Sequence, residues 1–419
     1  LRPSKRPPVQ PPQVVEDEPL VVSDDSDDGN GNSNGTGFGN SSGNGGGNNS
    51  CENNCSGPLL NINDPMPGLL AAADLTILSS VNAARDIRLT ATGHIDLGTA
   101  RAARDLFVQG ASLTAHSLGA PGALTATTTG QAAKGNMIVA AAGVGGAGAF
   151  TSSNDIEIDN LGLVSGTPQR VTINAAGDVN LIGGGTAGGS GAIDVTAGRN
   201  VSVDLSSASL GAVTAGGDAV LRGGSIGAVS VTGQKLLARA DTLNIGKATS
   251  ASDVYVVSLN GDAVVGSATA GDDVFVIANN GTASLTNATL TGRASDGVSF
   301  SLPNNPDAND NGRVVNVASN LDARLGLGTG SITGATAVGV QAAQDAFVDL
   351  TGVLPGTFSE TAGRDASLKA PTVSLDLVSA GRDLSIATSA GDFTLTRALV
   401  ATRNISIGAA GALRVGDVT

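Results

Sequence analysis

The chain has no tryptophan, one tyrosine, two methionines and eight phenylalanines among 419 residues. A globule of this length ordinarily draws much of its buried area from aromatic rings, so a core this poor in them must be filled by valine, leucine, isoleucine and alanine. Thin, uniform layers suit such a filling, because each layer of a solenoid has little interior. Histidine is equally scarce, with only His94 and His116. Polysaccharide lyases and hydrolases on parallel β-helices need clustered carboxylates or a basic residue beside a cleft, with aromatic or basic platforms for sugar rings. This sequence offers little of that kind, so the chain is read as non-enzymatic, and each histidine as a solvated surface residue.

Positive charge is short as well: 23 Lys and Arg face 37 Asp and Glu, for a net charge of −14. Nucleic acid is excluded as an expected partner, since phosphate binding needs clustered basic residues. No apolar run reaches the roughly 18 to 20 residues of a membrane-spanning helix. The richest stretch, Met137 to Phe150, is broken by glycine. The chain opens at Leu1 without the basic and apolar segments of a signal peptide, and Thr419 falls inside a repeat, so the sequence reads as a piece of a longer polypeptide.

What is abundant is glycine, with 60 residues. Residues 1–58 begin rich in proline and continue as an almost unbroken mixture of Asp, Gly, Asn and Ser, which buries too little apolar surface to offset its ordering entropy. A disordered linker or spacer is expected there. Cys51 and Cys55, separated by three polar residues, suit a disulfide made outside the cytoplasm. Two thiolates without a nearby histidine would fill only half a zinc shell.

From Leu59 the chain changes to short alternating triplets, among them Ile87-x-Leu89, Ile95-x-Leu97, Val201-x-Val203, Val254-x-Val256 and Leu384-x-Ile386. Period two denotes strands, and three to five residues denote very short ones. A turn signature precedes many triplets: a small residue, Gly or Arg, then Asp or Asn. It places Asp86, Asp105, Asp178, Asn200, Asp218, Asp365, Asp383 and Asn404 at equivalent positions, with weaker copies at Asp155, Asp253, Asp273 and Asp345. The spacing of about 18 to 23 residues suits one solenoid coil, and half-period turns such as Gly261-Asp262 divide a coil into two or three strands. The expectation is an all-β, right-handed parallel β-helix over 59–419, with about 17 or 18 coils at about 4.8 Å per coil, ending without a cap.

Recurrence in nearly every coil argues against a catalytic or metal-binding role for the acids. They are read as turn formers that cap local backbone amides and stack as a ladder, with Arg85, Arg104, Arg364 and Arg382 relieving like-charge repulsion. Asp307, Asn309 and Asn311 match the first half of a calcium loop, with Gly312 at the sixth position. Ala318 stands where the bidentate Glu belongs, so a surface loop is the preferred reading and no cofactor is expected, with calcium the one candidate.

The turn Ala380-Gly381-Arg382-Asp383-Leu384 and its copy Ala362-Gly363-Arg364-Asp365-Ala366 resemble the repeat signature of filamentous haemagglutinin-like exoproteins of Gram-negative bacteria. The resemblance covers nearly all of Leu59 to Thr419. It implies two-partner secretion through an outer-membrane transporter, folding outside the cell, and roles in adhesion, biofilm or contact-dependent competition. The family's secretion domain is not in this chain. The expected function is a secreted or cell-surface rod that meets a glycan or protein on a host or neighbouring cell, with Thr125 to Phe150 and Phe300 to Arg313 as insertions carrying the contacts. Self-association into filaments is the first alternative and a β-helical polysaccharide-active enzyme the second.

Overall fold

The computed structural model of the protein describes residues 60–61, 68–71, 73–131, 135–163, 170–187, 192–292, 313–354, 357–415 and 417–418. Among them every regular element is a strand, and the strands join in one parallel sheet wound into a β-solenoid of about 15 turns. The alternating triplets form strands because period two puts one side of each on the inside of the coil. A lone coil leaves that inner side open above and below. Burying one valine or leucine contributes about 1.5 to 3 kcal/mol, and here that contribution exists only once coils stack.

The coil geometry is plainest in Val201–Ala215, which pairs in parallel with Ala219–Gly233, itself paired with Leu236–Ser250. Pairing runs Leu205↔Gly223 and then Ser207↔Ser225, and Leu210↔Ala228 and then Ala212↔Ser230. The skipped residues, 206 and 211, are corners, so one 15-residue strand supplies three faces of a coil. Val201, Val203, Leu205, Ala208, Leu210, Val213 and Ala215 turn inward and are buried. The strands here are longer than the triplets predict, because the backbone ladder continues through corners that side-chain alternation marks as breaks.

Register builds columns. Leu75, Ile95, Leu113, Met137, Ile156, Val179, Val201, Ala219, Leu236, Val254, Val274 and Val315 follow one another coil by coil, none more than 2% exposed. The column is therefore dry and aliphatic.

Two expectations need correction. The turns number about 15, not 17 or 18. Equivalent residues of successive coils lie 24 apart between Leu113 and Met137 and 41 apart between Val274 and Val315. Nor is Thr125 to Phe150 an insertion: Leu124–Thr128, Met137–Val139, Ala142–Val144 and Gly148–Ser152 are ordinary paired strands, and Met137, Val139, Val144 and Phe150 are fully buried. Ala126, Gly135, Ala142 and Gly148 fit the narrow interior, while Gly143, Gly145, Gly146, Ala147 and Ala149 lie at corners or outward positions. The linker 1–58, Cys51 and Cys55, the calcium-loop residues Asp307, Asn309 and Asn311, and most of Phe300 to Arg313 lie outside the described residues.

Candidate functional site

The polar chemistry of the described residues gathers at the corners between faces. At Asp86, Asp105, Asp178, Asn200 and Asp365 a carboxylate or amide oxygen accepts the main-chain N–H at the equivalent corner of the next coil. Asp105 Oδ1 accepts from Ala123 at 2.7 Å, Asp178 Oδ1 from Asn200 at 2.9 Å, and Asn200 Oδ1 from Asp218 at 2.9 Å. The same bond joins Asp86 to the Asp105 amide at 3.2 Å, and Asp365 to the Asp383 amide at 3.3 Å. Asn404 uses its side chain instead, donating from Nδ2 to Asp383 Oδ1 at 3.0 Å. The capped amides are not local, as the sequence suggests, but 18 to 22 residues away. Peptides of stacked parallel strands direct their N–H groups toward the neighbouring strand, so an acceptor at a corner meets the coil beside it rather than its own turn.

Arginines clip the ladder. Arg104 on Asp86, Arg364 on Asp345, Arg382 on Asp365 and Arg403 on Asp383 each donate from both Nε and Nη2 to the carboxylate one coil back. Arg199 spans two coils, 2.6 Å from Asp155 and 3.0 Å from Asp178. These hydrogen bonds hold the carboxyls of Asp86, Asp345, Asp365 and Asp383 below their ordinary value of 3.8. Because the folded values are depressed, the contribution of these four carboxylates is complete above the unfolded value and is lost as pH falls through the folded values. Exposed pairs of this kind contribute little by charge alone, so the hydrogen bonds from arginine and from the main-chain amide carry most of the effect. Asp345→Ala deprives the Asp365 amide of its acceptor at 3.1 Å and Arg364 of its partner. A loss of about 1 to 2 kcal/mol is expected in a melting curve at neutral pH. A variant melting with the parent would mean the corner bonds do not hold coils together.

One corner carries more acid than the rest. Asp253, Asp272 and Asp273 are all buried, with a carboxylate oxygen of each within 4.8 Å of the others. Sequence reasoning finds Asp253 and Asp273 but misses Asp272, whose register is visible only when Gly271-Asp272-Asp273 is laid over Ala251-Ser252-Asp253. Asp253 Oδ2 accepts from Ser252 Oγ at 3.1 Å, Asp253 Oδ1 from the Asp273 amide at 3.3 Å, and Asp273 Oδ1 from the Val314 amide at 2.7 Å. Two of the three acids thus serve the same amide-capping ladder.

His94, expected to be solvated, is half-buried and its Nδ1 lies 2.7 Å from Ser112 Oγ, one coil on. The 18-residue separation matches one repeat, and both residues immediately precede an inward triplet, a signal available in the sequence. Asp74 completes the same corner, but its Oδ1 accepts the main-chain N–H of His94 at 2.7 Å. Its contact therefore fixes the corner backbone, whereas the acid of a hydrolytic triad holds the imidazole ring.

On the outer side of the coils a groove of about 890 Å³ runs past Arg239, Val257, Ile277, Asn279, Asn320 and Gln341. Its lining mixes aliphatic side chains with the amides of Asn279, Asn316, Asn320 and Gln341 and a single guanidinium. Tyr255, which lines the groove, and Phe275 occupy paired positions and stack with ring centroids 4.7 Å apart, both buried.

No family model, no curated protein and no solved structure matches this chain.

Proposed function

We propose that the chain is the rod section of a large bacterial exoprotein of the filamentous haemagglutinin type, secreted or held at the outer cell surface, where it mediates attachment or biofilm contacts. The observation that carries this reading is the equivalence of the corners: acid and capped amide recur in many coils, joined at several of them by a clipping arginine. Catalysis needs one special constellation, whereas repetition gives length and stiffness. Passage through an outer-membrane transporter as unfolded chain accords with a fold whose coils close only against neighbours already in place. The partner class is a glycan or protein on a host or neighbouring cell, with the groove past Val257 and Ile277 as the contact surface, since amides and apolar flats bind uncharged polymers.

The purified protein should bind cell surfaces or a glycan array saturably, and the bound material should be monomeric. Absence of saturable binding to any cell or glycan at micromolar protein would remove the adhesive part of the proposal. Ordered end-to-end polymers in electron micrographs would favour a filament subunit instead.

A further inference from the structure

Among the described residues, Glu360 is the one acid at an inward strand position, apart from the buried corner aspartates Asp253, Asp272 and Asp273. It lies on Thr357–Ala362 between Phe358 and Ala362, faces inward, and is 0% exposed. In the column it pairs with Val340 on one side and Val378 on the other. Among the described residues neither carboxylate oxygen has a hydrogen-bond partner. Inward residues of the strands packed against it are apolar: Val338 and Val340 of Ala337–Ala342, Ala346 and Val348 of Ala346–Leu350, Ala366 and Leu368 of Ala366–Ala370, and Val373, Leu375 and Val378 of Val373–Ala380. The charged groups described on these strands face outward, where Lys369 sits 3.6 Å from Asp349. At the adjoining corners Asp345 and Asp365 are clipped by Arg364 and Arg382. Among the described residues no cation turns in toward Glu360.

We propose that Glu360 is a proton-dependent latch: the coil built on Thr357–Ala362 closes around a neutral carboxyl, and loss of that proton opens this coil and its neighbours while the rest of the rod stays stacked. An ionised carboxylate among valines, leucines and a phenylalanine has neither water nor counter-charge, and this disfavours the charged form far more than the neutral one. Burial accordingly pushes the Glu360 carboxyl from 4.5 up to about 8. The folded value lies above the unfolded one, so the closed coil holds a proton that the open chain releases at neutral pH. The contribution to stability is complete below the unfolded value, shrinks as pH rises toward the folded value, and is flat beyond it. The sign is opposite to that of Asp86, Asp345, Asp365 and Asp383, whose contribution disappears in acid. Opening stays local because each coil of a solenoid contacts only its neighbours. A leucine would fill the same place in the column without desolvating a polar group, so the glutamate supplies pH dependence rather than stability.

Hydrogen exchange on the intact protein tests the latch, with rates corrected for the intrinsic pH dependence of amide exchange. Between about pH 6 and pH 8, the opening constant for amides in Thr357–Ala362 and its neighbours should rise by nearly tenfold per pH unit, as release of one proton requires. Amides in Val201–Ala215 serve as the internal reference and should stay level. Glu360→Leu and Glu360→Gln should each abolish the local rise. Equal pH dependence in both regions, or a Glu360→Leu protein that keeps the parent's local rise, would overturn the proposal. Should both variants fail to fold, the carboxyl carbon resonance of Glu360 in the parent decides: a neutral carboxyl at about pH 6 supports the latch, and an ionised one refutes it.

Discussion

Val203→Asp is expected to break the rod in its middle, at a cost of at least about 4 kcal/mol, because the side chain lost is fully buried and the charge gained has no partner. Val203 is 0% exposed and lies in register between Leu181 and Leu221. A carboxylate there faces three walls of aliphatic groups. Leu384→Asp, at a site 1% exposed between Ala366 and Ile405, is expected to cost as much locally but to release only the coils near the C-terminal end. The two variants therefore differ in extent rather than kind. Limited proteolysis separates them: cleavage on both sides of residue 203 in the first, and trimming confined to the region after about residue 370 in the second. Unchanged far-UV spectra and melting curves in both would show that these side chains do not hold the columns together.

Gly381→Val is the second large effect. A Cβ at Gly381 would lie 1.9 Å from the carbonyl oxygen of Gly363 in the coil below, and that atom is backbone, so the turns themselves must separate. Separation strains the amide bonds from Gly381 to Ala362 at 2.9 Å and from Arg382 to Arg364 at 2.7 Å, and draws Arg382 away from Asp365. Overpacking of this kind costs about 2 to 3 kcal/mol. Gly227→Ala is the matched control, since nothing lies within 4 Å of its Cβ position, and it should be neutral or slightly stabilising. Equal melting temperatures for the two variants would show that the glycine of the turn signature is not there to let corners stack closely.

That steric requirement also explains why the fold is legible in the sequence. Gly198, Gly216, Gly363 and Gly381 all put a missing Cβ within 2.2 Å of a carbonyl oxygen one coil away, so the recurring glycine is an imprint of stacking itself. Inward triplets are legible for a similar reason: Ile95 and Leu97, Val254 and Val256, and Leu384 and Ile386 are buried as their alternation predicts. The number of coils is less legible, because residues can be added at a corner without leaving a mark in the apolar pattern. Glu360 is hidden more deeply. Thr357-Phe358-Ser359-Glu360-Thr361-Ala362 alternates correctly, but a charged residue at an inward position reads as a break, and only the register with Val340 and Val378 shows that it continues the column. The meeting of His94 with Ser112 is legible, since both precede a triplet by one residue. The direction of the aspartate bonds is not, because a single turn viewed alone offers its own amides as the obvious partners.

The register also makes each coil interchangeable as a unit of length. Val201 pairs with Ala219, and Ala219 with Leu236, so Leu236 occupies over Ala219 the place that Ala219 occupies over Val201. Joining Asp218 directly to Leu236 would preserve every face and shorten the rod by about one strand spacing, 4.8 Å. In-frame duplication or loss of such a stretch changes how far the molecule reaches while leaving its cross-section alone. For a protein of this architecture, reach is therefore a quantity that gene copying errors can adjust in discrete steps, without any new folding problem to solve.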